Sequence, residues 1–409
     1  MNIKMKALYI TRTFYPEGFG GGEISALHIV KSISKKVEPI VCCLSEKISK
    51  PILQRTHNIK IYRFPWKKLR WFKKLSNLDY ANYQLYNATK KIINKEKPDI
   101  IHLLNTDSTY FIANKIKNIP KFATINGPLF CEFGGSHPNG KSCYNCSNKE
   151  RFLLSFKKWG LIGLFYWIYN RRSQYQLKKS LKNCRKIFPV SNAIKKMLVE
   201  KGISKSKIEI IHNPISTTNI KPNLRLKKEL NISKNKKIIF YAGRLAKNKG
   251  IHFTIKAIKD LENVVFLIAG KKRDYYDELI QLTKKLKIED KVKFLGFINN
   301  DKITEYFSIT DLVVHPCFFY EPLSRMLIEA TNQGLPIVAS NIGGNSEIVE
   351  NNKNGYLIEN NQELKEKISK LINDNKLLKK FGENSKKIAK NKFSYKQISE
   401  KLIKEYLVS

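Results

Sequence analysis

Short apolar runs that end in glycine or a small polar residue alternate along this chain with runs of helical period, in two successive series. In the first, KALYITRTF (6–14), VEPIVCCL (37–44), DIIHLLN (99–105), KFATING (121–127) and KIFPVS (186–191) read as strands. Between them GGEISALHIVKSISK (21–35) sets Ile24, Leu27, Ile29 or Val30, and Ile33 at helical spacing. In the second, the strands are KKIIFYAG (236–243), VVFLIAG (264–270), VKFLGF (292–297), LVVHP (312–316) and PIVAS (336–340), with helical runs such as GIHFTIKAIKDL (250–261) filling the gaps. Near-continuous apolar strands separated by helices are buried on both faces, which is the βαβ rhythm of a parallel sheet. The segment IIHNPISTTNIKPN (210–223) has Pro, Asn and Thr clustered without periodicity and reads as a linker. The expectation is an α/β protein of two domains, residues 1–215 and 216–393, closed by an amphipathic helix at 394–409.

Lys and Arg number 76 against 34 Asp and Glu, a net charge of +42. Such a field attracts polyanions: phosphorylated ligands, an anionic membrane surface or nucleic acid. Lysine, isoleucine and asparagine are abundant together, however, as AT-rich coding also produces. A nucleic-acid reading lacks a recognition motif and an aromatic platform among the cations. The seven cysteines are odd in number, and MNIKMKALYITRTF runs directly into a strand without a secretory pattern, so a reduced, cytoplasmic setting is expected. The longest apolar stretch, WGLIGLFYWIY (159–169), is eleven residues between Lys157-Lys158 and Arg171-Arg172. That is about half of the roughly 20 residues a membrane span needs. It suits either a segment lying peripherally among lipid headgroups or a helix packed inside the protein.

Two blocks carry chemistry. In YAGRLAKNKG (241–250), Gly243, Arg244, Lys249 and Gly250 follow a strand just where a helix begins. Ligands of open parallel sheets bind at the carboxyl ends of strands; Arg can grip two phosphate oxygens, and Lys adds a point charge. In PCFFYEPLSRMLIEATNQGLPIVASNIGGNSE (316–347), Pro322 is expected in the first helical turn, with Glu321 just outside the helix and Glu329 two turns in. Carboxylates so placed can accept hydrogen bonds from sugar and ribose hydroxyls. The sequence has no Asp-x-Asp pair, so fixed cations and helix N-termini rather than a metal are expected to neutralise a departing phosphate.

YAGRLAKNKG, IAGKK, FLGF and EPLSRMLIEA–GLPIVAS–NIGGNSEIV resemble the family-four retaining glycosyltransferases of the GT-B fold, and PEGFGGGEISALHIV and PVSNAIKKMLVEKGISKSKIEIIHNPI resemble the same family's first half. The resemblance implies two Rossmann-like domains facing a cleft, the first for the acceptor and the second for the nucleotide sugar, with the last helix crossing back to the first domain. It implies that Arg244 and Lys249 bind the diphosphate, that Glu321 lies near the donor sugar and that Glu329 grips the ribose. Gly243, Gly270, and the backbone at Leu323 and Ser324, would line the donor; Gly20, Gly21 and Gly22 would let the first helix's N-terminus approach the donor and the acceptor. The donor would be a nucleotide diphosphate hexose. The acceptor would be a saccharide or lipid-linked, with surface polysaccharide or glycolipid as the product, and no cofactor is expected. Leu323-Ser324 stands where the family usually has Phe-Gly, and Asn126 where many relatives have His. Asn126, with Asn105 at another strand end, would then hydrogen-bond the acceptor without shuttling a proton. A nucleotide-sugar epimerase on the same fold is the alternative enzyme, and a polyanion-binding protein the non-enzymatic one.

Cys131, His137, Cys143 and Cys146 form a further constellation with one CxxC spacing. Three thiols and an imidazole can hold structural zinc, and reduced loop thiols are the other reading.

Overall fold

The computed structural model describes residues 5–18, 20–56, 58–67, 75–104, 110–130, 147–217, 222–272 and 275–408. Asn105 and the candidate zinc ligands Cys131, His137, Cys143 and Cys146 lie outside these residues. The chain divides into two compact units, one of residues 1–137, 141–214 and 395–409, the other essentially of 215–394.

The first unit runs β1 (Lys6–Ile10), α1 (Gly21–Ile33), β2 (Glu38–Ser45), β3 (Ile52–Thr56), β4 (Ile59–Pro65), α2 (Leu75–Glu96), β5 (Ile100–Leu104), α3 (Tyr110–Lys115), β6 (Lys121–Ile125), α4 (Asn148–Trp159), α5 (Leu161–Lys182), β7 (Lys186–Pro189) and α6 (Asn192–Glu200). Its seven strands lie in the order β3-β4-β2-β1-β5-β6-β7, all parallel except the β3–β4 pair. β1, β2 and β5 are buried almost throughout, as their unbroken apolar sequences require.

The helix at the chain's end also belongs to this unit. Ile398, Leu402 and Tyr406 recur every four residues and join the core formed by Tyr9, Val30 and Phe188. The Tyr406 hydroxyl lies 2.5 Å from His102 Nδ1, and His102 Nε2 lies 2.8 Å from Thr124 Oγ1. Burial pushes the His102 imidazole down to about 3, so it is neutral and serves as a hydrogen-bonding strut between sheet and helix. At the helix start Tyr395 meets His28 of α1 at 2.6 Å.

The same unit buries Arg63 of β4 to 1% exposure. Its guanidinium donates to the carbonyls of Phe14 (3.0 Å) and Tyr15 (2.5 Å) and to Gln54 Oε1 (2.7 Å). Glu17 adds an ion pair at 3.7 Å. This cation therefore ties down the loop that leads from β1 to the glycines at the start of α1.

The second unit begins with α7 (Leu224–Glu229) and β8 (Lys237–Ala242), then α8 (Ile251–Ala257), β9 (Val264–Ala269), α9 (Tyr275–Lys285), β10 (Val292–Gly296), α10 (Asn300–Ser308), β11 (Leu312–His315), α11 (Arg325–Asn332), β12 (Ile337–Ser340), α12 (Asn345–Ile348), β13 (Gly355–Ile358), α13 (Gln362–Ile372) and α14 (Asn375–Ile388), with α15 (Tyr395–Leu407) returning to the first unit. Its sheet is wholly parallel, in the order β10-β9-β8-β11-β12-β13. Chain order reverses between β8 and β11, so the loops leaving those two strands part to opposite sides. A crevice opens at such a switch point, outside the carboxyl ends of the strands, and both chemistry-bearing blocks of the sequence begin there.

Candidate active site

The loop after β8 carries Gly243, Arg244 and a single 3₁₀ turn, Lys247–Lys249, and reaches α8 through Gly250. The loop after β11 runs from Pro316 to Ser324. Two glycines let neighbouring loops lie directly on its backbone. Gly250 has φ +70°, and a Cβ there would stand 1.8 Å from the Pro316 carbonyl oxygen. Gly343, after β12, has φ +60°, and its Cβ would stand 1.9 Å from the Glu321 carbonyl oxygen. No side chain fits at either place. Gly344 then donates its N–H to that same carbonyl at 2.8 Å. The β11 loop is thereby fixed by main-chain contact at Pro316 and at Glu321.

Glu321 is held between two cations. Lys249 Nζ donates to Glu321 Oε2 at 2.5 Å, and His315 Nε2 lies 3.3 Å from the same oxygen. Lys249 is only 8% exposed, and its ammonium also lies 4.8 Å from the centroid of Phe319. Burial alone would raise the Glu321 carboxyl, but the Lys249 ammonium and the hydrogen bond from His315 outweigh it and hold the group well below the usual carboxylate range. Burial likewise opposes charge on His315, but Cys317 and the Glu321 carboxylate prevail and raise the imidazole to about 9. Two basic side chains, Lys249 and His315, therefore face the one carboxylate of Glu321. Arg244 adds another basic group: its side chain is exposed at the β8 end, while its carbonyl accepts from the Tyr241 hydroxyl at 3.1 Å.

The His315 shift has a testable consequence. Its folded-state value lies above the ordinary histidine value near 6.5. The stabilisation it gives is complete below about 6.5 and is lost as pH rises through about 9. Thermal melts between neutral and alkaline pH should show a falling Tm in the parent chain and a flatter profile in His315→Gln. Identical slopes would show that the imidazole is not held charged.

The structure corrects one local expectation. α11 begins at Arg325 with Ser324 as its N-cap, so Pro322 lies ahead of the helix and not in its first turn. Glu321 is accordingly four residues from the helix, in the loop, which is what lets it turn toward Lys249. Leu323 and Ser324 are buried, at 6% and 4% exposure. Ser324 makes no side-chain cap, so the amides of Arg325 to Leu327 at the head of α11 have no partner within the helix. Met326 Sδ accepts from the Ala242 N–H at 3.0 Å, bringing that helix start against the end of β8. Glu329 lies in the second turn, where Arg325 Nε holds its Oε1 at 2.9 Å.

Lys249 and Glu321 of the sequence-derived set thus meet, joined by His315. Gly243 and Gly270 are packed together, since a Cβ on Gly270 would stand 2.3 Å from the Gly243 carbonyl oxygen. Glu329 pairs along its own helix. In the other unit, Gly21 and Gly22 open α1, and Asn126 follows β6 directly, half-buried. Sequence reasoning missed His315 and Arg325. The signal for His315 was its place as the last residue of β11, beside the switch point.

Donor atoms of His315, Cys317 and Glu321 all lie within 4.8 Å of one another, a spacing that can hold a metal ion. The Lys249 ammonium occupies the same carboxylate oxygen, however, and a divalent cation there would meet like charge at short range. The cluster is better suited to an anion.

Two doubly wound α/β sheets, the first parallel but for its β3–β4 pair and the second wholly parallel, define a GT-B glycosyltransferase fold. The family described as Glycosyl transferases group 1 matches residues 223–388, and that described as Glycosyltransferase Family 4 matches residues 19–219. The chain belongs to the family-four glycosyltransferases. Spore coat protein SA of Bacillus subtilis is 33% identical over 183 residues, 42% of this chain and 48% of that protein, so the match spans about half of that relative. An uncharacterised glycosyltransferase of Methanocaldococcus jannaschii is 24% identical over 99% of this chain and 98% of its own. Among solved structures, Anabaena HepE in complex with UDP superposes with a TM-score of 0.74 at 21% identity, covering 99% of this chain and all of that one.

Proposed function

We propose that this chain transfers a hexose-type sugar, with retention of configuration, from a nucleotide diphosphate donor to a saccharide or lipid-linked acceptor in surface polysaccharide or glycolipid assembly. The observation that carries the reading is the buried Lys249–Glu321–His315 cluster at the β8–β11 switch point, with Arg244 exposed beside it. The UDP in the HepE complex supports a nucleotide donor.

The bond between the anomeric carbon and the phosphate oxygen breaks, and negative charge grows on the diphosphate. Arg244 and Lys249 supply fixed positive charge for it, aided by the N-terminal end of α11. Glu321 keeps the Lys249 ammonium oriented, and its other oxygen is left for a sugar hydroxyl. Glu329, held through Oε1 by Arg325, has Oε2 for a ribose hydroxyl. The acceptor oxygen bonds to the anomeric carbon from the face the phosphate leaves, and the acceptor's proton passes to the departing phosphate oxygen. No strong protein base is needed, which accommodates Asn126 in place of a histidine. No divalent ion is required either.

A thermal-shift screen against UDP, GDP, ADP and TDP, each with and without EDTA, tests this. One nucleotide diphosphate should raise Tm, and EDTA should leave the shift unchanged. No shift with any of them, or a shift abolished by EDTA, would overturn the reading.

A further inference from the structure

α4 and α5 form a helical hairpin whose outer face has no partner among the described residues. The eleven-residue apolar stretch is not one helix. Gly160, at φ +57°, ends α4 after Trp159 and starts α5 at Leu161. The two helices then fold tightly together: a Cβ on Gly163 would stand 2.4 Å from the Ser155 carbonyl oxygen, and Phe152 meets Trp167 edge-on at 5.6 Å. Arg151 donates to Gln174 at 3.0 Å. The far end of α5 is anchored by buried Leu177 and Leu181. The hairpin is therefore a built element, and its tip is apolar. Leu161, Ile162 and Phe165 are 76%, 71% and 71% exposed, and Leu153, Phe156 and Ile168 extend the patch. A contiguous apolar surface of this kind marks an interaction site.

Charge decides what covers it. Residues 148–182 hold nine Lys or Arg and a single acid, Glu150. That one acid is spent in the capping box, where Glu150 Oε2 accepts from the Ser147 N–H at 2.7 Å. Lys149, Lys157, Arg171 and Arg172 are exposed around the patch, and Arg172 continues the stripe of Leu161, Phe165 and Ile168 at helical spacing. A second copy of the chain would bring nine like charges against these nine. An anionic bilayer offers acyl chains for the apolar tip and phosphates for the rim, the arrangement of interfacial helices. No helix among the described residues is long and apolar enough to cross a membrane.

We propose that the α4–α5 tip inserts into the headgroup layer of an anionic membrane. The inference is independent of the donor-site reading. The full-length protein is tested by co-sedimentation with vesicles containing phosphatidylglycerol and with vesicles of phosphatidylcholine alone, while the fluorescence of Trp159 and Trp167 is followed. The expected result is binding to the anionic vesicles with a blue shift. The variant Leu161→Gln/Ile162→Gln/Phe165→Gln, at exposed positions and unchanged in charge, should lower partitioning at least about tenfold. Its nucleotide-induced Tm shift should match the parent's, which separates failure here from failure of the donor site. Arg171→Gln/Arg172→Gln should weaken binding and reduce its salt dependence. Equal partitioning of the triple variant would reduce the effect to bulk charge and overturn the proposal. So would equal binding to neutral vesicles, or a dimer in the parent that the triple variant dissolves.

Discussion

Lys249→Met should lower turnover by about 10²–10³, the loss seen when one fixed donor to a developing anion is removed. The geometry makes this more than loss of a surface charge. Lys249 is 8% exposed and bound to Glu321, so its ammonium cannot be replaced by the lysines elsewhere in this basic chain. Removing it also strands the Glu321 carboxylate, with His315 as its remaining partner at 3.3 Å. Stability should therefore fall too, because a buried carboxylate loses its main counter-charge. The two effects separate in the double variant Lys249→Met/Glu321→Gln. Neutralising both partners should recover most of the stability but none of the turnover. Arg244→Ala should show the opposite profile to the single Lys249 change in one respect: an exposed guanidinium contributes little to folding, so turnover should drop with Tm unmoved. Single-turnover assays and thermal melts on the four proteins provide the check. Near-normal turnover in Lys249→Met or in Arg244→Ala would remove the residue changed from the diphosphate site.

Much of this arrangement was legible in the sequence because backbone rules expose it. Strands buried on both faces must be apolar throughout, so both series of βαβ units could be read directly, and the residues just after each strand followed from that. Gly243, Arg244, Lys249 and Glu321 were found in this way. What pairs with what was not legible. Lys249 and Glu321 are 72 residues apart, and their contact depends on β8 and β11 being neighbours across the switch point, which is a property of strand order. Pro322 misled for a related reason. Proline suits a first helical turn, but Gly343 and Gly344 hold the Glu321 carbonyl, Ser324 is extended as the N-cap, and the helix begins only at Arg325. His315 and Arg63 escaped because an isolated basic residue in an apolar strand looks like a tolerated exception until its partners are seen. The 159–169 stretch was readable as interfacial or packed, and the break at Gly160 was the missing fact.

Arg63→Met is expected to be the most damaging single change outside the second unit. The methionine stem fills much of the same space, so the effect isolates the hydrogen bonds. The carbonyls of Phe14 and Tyr15, the Gln54 side chain and the Glu17 carboxylate all lose a donor at once. Breaking a buried charged group of this kind typically costs about 3–5 kcal/mol. Arg63→Lys should not rescue it, since one ammonium cannot reach carbonyls that the planar fork spans together. The damage should be local as well as global. The loop from Phe14 to Glu17 leads into Gly20, Gly21 and Gly22 at the head of α1, so its release should unfix that helix start. Hydrogen exchange should then quicken at residues 14–17 and 21–24, with α8 and α11 unaffected, and the urea midpoint of the first unit should fall. Turnover should decline in step with the exchange if the glycines at the start of α1 serve the donor or acceptor. Unchanged exchange in this loop, with unchanged urea resistance, would show that Arg63 is merely accommodated by the loop rather than holding it.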